Sequence, residues 1–291
     1  MHAVRIWLIA ARPKTLIAGL SPVLMGTTLA LSMGAFRPWV FFFTLLTAMG
    51  IQIGTNLAND YFDFLKGADT VERKGSLRVM QAGLASAFQM QCAILLTFAL
   101  TFLMGCTLIY RGGSIIAILL VLSLLLALFY TAGPYSLAYL GLGEIFVLIF
   151  FGPLAVLGTY YLQTLAFSKE ACLAGIAPGC ISTAILIANN VRDIDEDRKA
   201  SKKTLVVRFG KTFGLIEYVS VLFMALIPML FFCQSHPFSL LTFLILLPAF
   251  PLMRGMLNEK NHNPTVLNQI FAHTGKLLLL FTFLFCLGWM L

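Results

Sequence analysis

Charge is scarce in this sequence. Asp, Glu, Lys and Arg together make up only 11% of 291 residues, against 59% apolar ones, and the mean hydropathy is +0.91. A soluble domain of this length could not hide so much apolar surface in one core, so the composition excludes a soluble enzyme and places the chain in a bilayer. Paired cysteines are missing too. Cys92, Cys106, Cys172, Cys180, Cys233 and Cys286 lie in apolar stretches without CxxC spacing, which excludes a zinc ribbon or dithiol redox centre and reads them as small core residues. No convincing small-residue cleavage site follows the opening Met1–Gly26 segment, and Arg12 and Lys14 interrupt its apolar run. That segment is expected to be retained rather than removed as a signal peptide.

What is present is a succession of apolar runs, each close to the roughly 20 residues a spanning helix needs. Nine are expected: 15–33, 38–65, 87–110, 114–130, 142–164, 171–191, 213–232, 238–257 and 269–291. The expected fold is therefore all-α, a polytopic membrane protein forming a single domain over 1–291. Of the 20 Lys and Arg residues, 16 fall in the N-terminal segment and in the loops after the second, sixth and eighth runs. Only Arg37, Arg111 and Lys169 fall in the alternate loops, and Lys276 lies at the start of the ninth run. The positive-inside rule then puts the N-terminus in the cytoplasm and the C-terminus on the opposite side. The net charge of +8 is thereby explained as topology, which leaves nucleic acid unsupported as a partner.

Acidic residues are few, 12 in all, yet they gather at two places. The second run ends Asn56-Leu-Ala-Asn59-Asp60-Tyr-Phe-Asp63, with Asp69 beyond it. Its polar positions stand at i, i+3, i+4 and i+7, on one face of a helix. The sixth run ends Asn189-Asn190-Val-Arg192-Asp193-Ile-Asp195-Glu196-Asp197, with Asn190, Asp193 and Asp197 at i, i+3 and i+7. Four spans separate the two, so both emerge on the cytoplasmic side and can face one cavity. Caps and solvated loops use the same residue types. Two matched clusters at the same end of helices four apart are better explained by divalent metal, since like charges at a membrane boundary need a neutraliser. Oxygen ligands with no His or Cys nearby suit Mg2+, which commonly bridges carboxylates to phosphate. Lys66, Arg73, Lys74 and Arg78 after the first cluster, and Arg192, Arg198, Lys202 and Lys203 beside the second, offer counter-charge to the phosphate.

At these residues the sequence resembles the UbiA superfamily of intramembrane prenyltransferases, whose two acidic motifs match Asn59-Asp60-Tyr-Phe-Asp63 and Asp193-Ile-Asp-Glu-Asp197. The likeness extends to Arg12-Pro-Lys-Thr15, Tyr130-Thr-Ala-Gly-Pro134, Gly141 through Gln163 and Asn189 through Gly210, and is strongest to the branch that prenylates 1,4-dihydroxy-2-naphthoate. Two departures stand out: the third acid of the first motif is displaced to Asp69, and Ser201-Lys202 precedes Lys203 where a glycine is commoner.

The resemblance implies a helical bundle with a central cavity open to the cytoplasm, in a bacterial inner membrane. It implies two Mg2+ ions held by Asn56, Asn59, Asp60, Asp63, Asp69, Asn190, Asp193 and Asp197, which grip the diphosphate of a polyprenyl donor. The naphthoate ring then attacks the allylic cation and loses CO2. Tyr61, Tyr130, Tyr135 and Tyr139 are candidate aromatic faces for that cation, although tyrosine also collects at membrane interfaces for its own reasons. Glu144, an acid at membrane depth, is a candidate for orienting the acceptor. Arg12 and Lys14 could pair with the acceptor carboxylate or the diphosphate, or simply snorkel. The rival readings are the same chemistry on hydroxybenzoate or another quinone precursor, and a cation-coupled transporter, whose sites lie nearer the bilayer midplane. The DGxxAR pattern of a lipid phosphotransferase is absent.

Overall fold

A backbone inside hydrocarbon must satisfy its own hydrogen bonds, and helices are the way a run of Leu, Ile, Phe and Ala does so. In the computed structural model, which describes residues 3–68, 75 and 77–291, all regular structure is helical. The elements are α1 (Ala3–Ala11), α2 (Leu16–Ser32), α3 (Pro38–Leu65), α4 (Ala87–Phe129), α5 (Gly143–Phe150), α6 (Pro153–Thr164), α7 (Lys169–Arg192), α8 (Ile194–Lys199), α9 (Leu205–Phe209), α10 (Lys211–Met224), α11 (Ile227–Phe232), α12 (Leu246–Leu257) and α13 (Pro264–Met290). Local chemistry sets several starts. Pro stands at the first turn of α3, α6 and α13, where its missing N–H costs nothing. Ser86 and Gln89 form a reciprocal capping box on α4, and the Ser168 and Asn263 side chains cap α7 and α13.

Eight described helical spans are long and apolar enough to cross a bilayer, where nine runs were expected. The difference lies in α4, whose 43 residues would measure about 65 Å if straight, twice the hydrocarbon thickness. It is not straight: Gly113 has φ 67° and ψ −153°, a conformation open to glycine, and the chain doubles back there. A Cβ on Gly105 would lie 2.3 Å from Leu120, a residue that a straight helix would hold about 22 Å away along its axis.

Three further boundaries differ from the sequence expectation. α1 precedes the first run, packing Ile6, Trp7 and Ile9 toward Leu57 and Ala58 of α3. The fifth run divides at Gly152, where α7 comes so close that a Cβ would meet the Gly175 carbonyl at 2.7 Å. The sixth run continues as helix to Arg192 and breaks just beyond, at Asp193, so its motif is shared between α7 and α8.

α7 is the axis of the bundle. Its small residues, among them Ala174, Gly175, Ala177, Gly179 and Ala184, let α5 and α6 approach at backbone distance and α2, α10 and α13 pack around it. α3 and the doubled α4 form the other wall, and between the walls lies a cavity.

Candidate active site

The ends of α3 and α7 and the loop 130–142 meet at the mouth of a cavity of about 750 Å3. Asn56, Asn59 and Asp63 line it from α3, Asn189, Asn190 and Arg192 from α7, Glu144 from the start of α5, and Tyr130 and Lys202 from the connections. That the two clusters converge shows in their fields: the charges of Asp63 and Asp193 both act on Asp197. Burial foremost, then these neighbours, push the Asp197 carboxyl up to about 6 against the opposing pull of Lys202. Tyr130 stands among the same acids. Its phenol is raised first by burial and then by Glu144, Asp63 and Asp197.

The connecting loop is the physical bridge. Tyr139 donates its hydroxyl to Asp63 at 3.1 Å, while its ring lies 3.9 Å beneath Lys66 Nζ and 5.6 Å from Lys202 Nζ. Lys202 reaches Asp197 at 3.5 Å, and the backbone N–H of Lys203 donates to the Tyr139 carbonyl. Thr131 hydrogen-bonds Asn59, and Arg208 donates to the carbonyls of Leu140 and Lys203. Gly141, at φ 69°, permits the Lys203 carbonyl to pass where a Cβ would stand 2.4 Å away. Motif to loop to motif is therefore one continuous polar network.

Several predicted roles are modified by these contacts. Lys66 spends its three N–H bonds on Thr131 O, Gly133 O and Ser136 Oγ, so in this structure it ties the loop down rather than pointing at a phosphate. Burial lowers its pKa, with Asp63 opposing. Asp60 accepts from the backbone N–H groups of Val79 and Met80 and is absent from the cavity wall; it fastens the segment after the motif. Arg192 is bidentate to Asp193, both contacts at 2.6 Å, and also reaches Asn189 and Asn268, so it is consumed in holding the second motif. Asn190 donates to Glu144 at 2.7 Å, which links α7 to α5 and occupies its amide nitrogen. Asn56 likewise donates to Ala11 O and Thr15 Oγ1, anchoring the α1–α2 junction.

Arg78 lines the cavity and pairs with Asp63 at 3.2 Å, both nearly buried. Arg12 and Lys14 line the cavity as well, Arg12 with a left-handed backbone at φ 50°. Lys203 is exposed beside the mouth, as are Arg198 and Asp195. Asp69, Arg73 and Lys74 lie outside the described residues. Of the four tyrosines only Tyr130 borders the cavity. Tyr61 packs in the separate α1–α3 cluster and bonds Gln91, and Tyr135 is exposed. The aromatic wall is supplied instead by Phe146, Phe150, Phe151 and Phe271, which nothing in the sequence sets apart because phenylalanine is spread throughout the chain.

Among the described residues no three His, Cys, Asp or Glu side chains gather as a ready-made metal site. The oxygens that converge are carboxylates flanked by Asn amides, and Asp197 Oδ2 is buried without a hydrogen-bond partner. Such an oxygen-only set, with no His or Cys in the wall, fits a hard divalent cation.

Paired acidic helix ends over an apolar, aromatic-walled cavity in a membrane bundle define the class, an integral-membrane enzyme. The chain belongs to the UbiA prenyltransferase family, which it matches over residues 19–280. It is 38% identical, over 97% of its length and 94% of the relative's, to 1,4-dihydroxy-2-naphthoate octaprenyltransferase of Escherichia coli K12. It is 37% identical, over 98% and 95% of the two chains, to the enzyme of that name from Haemophilus influenzae. Among solved structures it is similar to a UbiA homolog from Archaeoglobus fulgidus bound to GPP and Mg2+, with TM-score 0.66, 16% identity and coverage of 96% and 99%. The same homolog bound to Cd2+ gives TM-score 0.67 at 14% identity, covering 98% and 100%.

Proposed function

We propose that this protein transfers a polyprenyl group from its diphosphate to 1,4-dihydroxy-2-naphthoate, giving demethylmenaquinol, diphosphate and CO2 in menaquinone biosynthesis. The observation that carries the reading is the union of both acidic ends, through Tyr139, Lys202 and Asp197, at the mouth of a cavity walled by apolar and aromatic side chains. The near full-length likeness to naphthoate octaprenyltransferases selects the acceptor.

Two Mg2+ ions are expected, with Asn59, Asp63 and Asp197 the best-placed oxygens and Asn56, Asp60, Asp69, Asn190 and Asp193 the remaining candidates. Mg2+ bound there would supply positive charge to the diphosphate oxygens. The chain's own contribution is positional. Lys202, Arg78, Arg12 and Lys14 surround the head group with cationic charge, while Asp60 and Arg192 hold the two motifs in shape. As the C1–O bond breaks, its electron pair leaves with diphosphate. Tyr130 and the phenylalanine wall exclude water and present aromatic faces to the allylic cation. A ring carbon bonds to C1, and the carboxylate departs as CO2 while its C–C electron pair returns to the ring.

The membrane arrangement is part of the proposal. Residues flanking both ends of α4 stand near the acidic mouth, Ser86 following the segment fastened by Asp60 and Tyr130 facing Asp63, so the reversal at Gly113 makes two crossings and nine in all. The basic loops put the mouth and the N-terminus in the cytoplasm and the C-terminus outside a bacterial inner membrane. The donor's hydrocarbon tail stays in the bilayer and enters between helices.

The test is a membrane assay with the naphthoate, radiolabelled polyprenyl diphosphate and Mg2+, with an EDTA control. Metal-dependent prenylated naphthoquinol, lost in Asp63→Ala and Asp197→Ala, is the expected result. Product from hydroxybenzoate alone would keep the chemistry and overturn the acceptor, and no product from any aromatic acceptor would overturn the enzyme.

A further inference from the structure

Below the acidic mouth the cavity wall is largely apolar, yet four oxygens in it are buried without a hydrogen-bond partner: Gln52 Oε1, Ser182 Oγ, Thr44 Oγ1 and Thr47 Oγ1. Threonine in a helix ordinarily returns its hydroxyl to the carbonyl four residues back, as Thr55, Thr101 and Thr159 do here. Gln52 and Ser182 are only 7% and 3% exposed, so bulk water does not reach them freely.

A buried polar atom with no partner is costly, and in a wall that borders empty space the natural remedy is a ligand that brings the missing donor. The two deserve to be taken together because of their depth. α3 and α7 both end at the mouth, and Gln52 stands 13 residues before Leu65 while Ser182 stands 10 before Arg192, about 20 and 15 Å of helix rise. Two helices that line one cavity thus carry unsatisfied oxygens within about one helical turn of each other in depth, below the diphosphate-binding end.

A polyprenyl tail is pure hydrocarbon and has no donor for them. An aromatic diol has two. The Gln52 carbonyl can only accept, which requires a hydroxyl donor, while the Ser182 hydroxyl can accept from a hydroxyl or donate to one. We propose that Gln52, with Ser182 across the cavity, binds the ring hydroxyls of the aromatic acceptor and selects an acceptor that carries them. The inference rests on the proposed function and adds residues to it that neither acidic motif contains. Thr47, on the same helix but further from the mouth, lies outside this subsite and serves as its control.

The experiment uses the full chain in membranes, beginning with wild-type turnover of 1,4-dihydroxy-2-naphthoate, whose absence would sink the proposed function and this inference together. Gln52→Met keeps the volume and removes the carbonyl. It is expected to raise KM for the naphthoate roughly tenfold, the value of one neutral hydrogen bond at the upper end of its range, with KM for polyprenyl diphosphate unchanged. That unchanged constant also certifies the fold. The 4-methyl ether of the acceptor, which cannot donate from that oxygen, is expected to be rejected by wild type and to be discriminated against much less by Gln52→Met. Ser182→Ala should shift the acceptor KM in the same direction, and Thr47→Val should leave it alone. Active wild type with an unmoved acceptor KM in Gln52→Met, a shift in the diphosphate KM instead, or an equal shift in Thr47→Val would each overturn the inference while leaving the proposed function standing.

Discussion

Tyr139 carries two separable contacts, a hydroxyl on Asp63 and a ring under Lys66 and near Lys202. Removing only the first, in Tyr139→Phe, is expected to cost about 1 kcal/mol in kcat/KM, a three- to tenfold loss, with little change in melting temperature. Tyr139→Ala removes both contacts and should lower activity much further and the Tm with it, since the ring is what Lys66 and Lys202 rest on. Equal effects of the two substitutions would show that the ring contributes nothing. Asp197 provides the pH prediction. Its carboxyl, raised to about 6 mainly by burial, is mostly protonated below pH 6 and ionised above it, so a cation arriving at lower pH must displace a proton. The Mg2+ concentration for half-maximal activity is therefore expected to rise about fivefold from pH 6 to pH 5 and to be flat between pH 7 and 8. A Mg2+ requirement identical at pH 5 and pH 7.5 would remove Asp197 from the cation site.

At the scale of elements, the bundle depends on small residues where helices cross. A Cβ on Gly175 would stand 2.6 Å from Pro153 Cα and 2.8 Å from its nitrogen, and one on Gly179 would stand 3.0 Å from Gly152 Cα, so α6 and α7 touch through bare backbone. Gly175→Ala is expected to force them apart at a cost of about 1–3 kcal/mol, lowering Tm in detergent by roughly 5 °C; an unchanged melt would mean the crossing relaxes freely. The sequence makes the spans legible because length and hydropathy are summed over twenty residues, and it makes the acidic ends legible because polar residues are rare there. It does not show breaks such as Gly152 or Asp193, which are set by what packs alongside. For the same reason it puts Asp60 and Lys66 at the end of the second run and cannot say where they point. The Val79 and Met80 amides that hold Asp60 and the Thr131–Ser136 loop that holds Lys66 are tertiary neighbours, 19 to 70 residues away in sequence. Gln52 escapes notice because a single glutamine in an apolar run has no pattern to belong to.

For the molecule as a whole, the asymmetry of charge and the asymmetry of structure agree. The acidic ends, the bridging loop and most Lys and Arg residues lie at one end of the bundle. At the other, Arg111 caps the end of α6 by donating to the carbonyls of Leu162 and Gln163, and the Arg37 backbone N–H donates to Gln163 Oε1. Arg111 stands two residues before the reversal at Gly113, so that reversal lies at the far end, as the proposed double crossing of α4 needs. An unbroken α4 crossing once would instead give eight crossings and put both termini on the same side. The two arrangements are separable in intact cells with a cysteine-free background carrying single cysteines at Gly34, Ser114, Lys260 and Leu291. With nine crossings, a membrane-impermeant maleimide is expected to label positions 34, 114 and 291 from outside and position 260 only after permeabilisation. Labelling of 291 only after permeabilisation, together with labelling of 260 from outside, would restore the single crossing. It would also move the C-terminus to the cytoplasm and put the basic segments after α7 and α12 on the opposite side from the N-terminus, against the positive-inside rule.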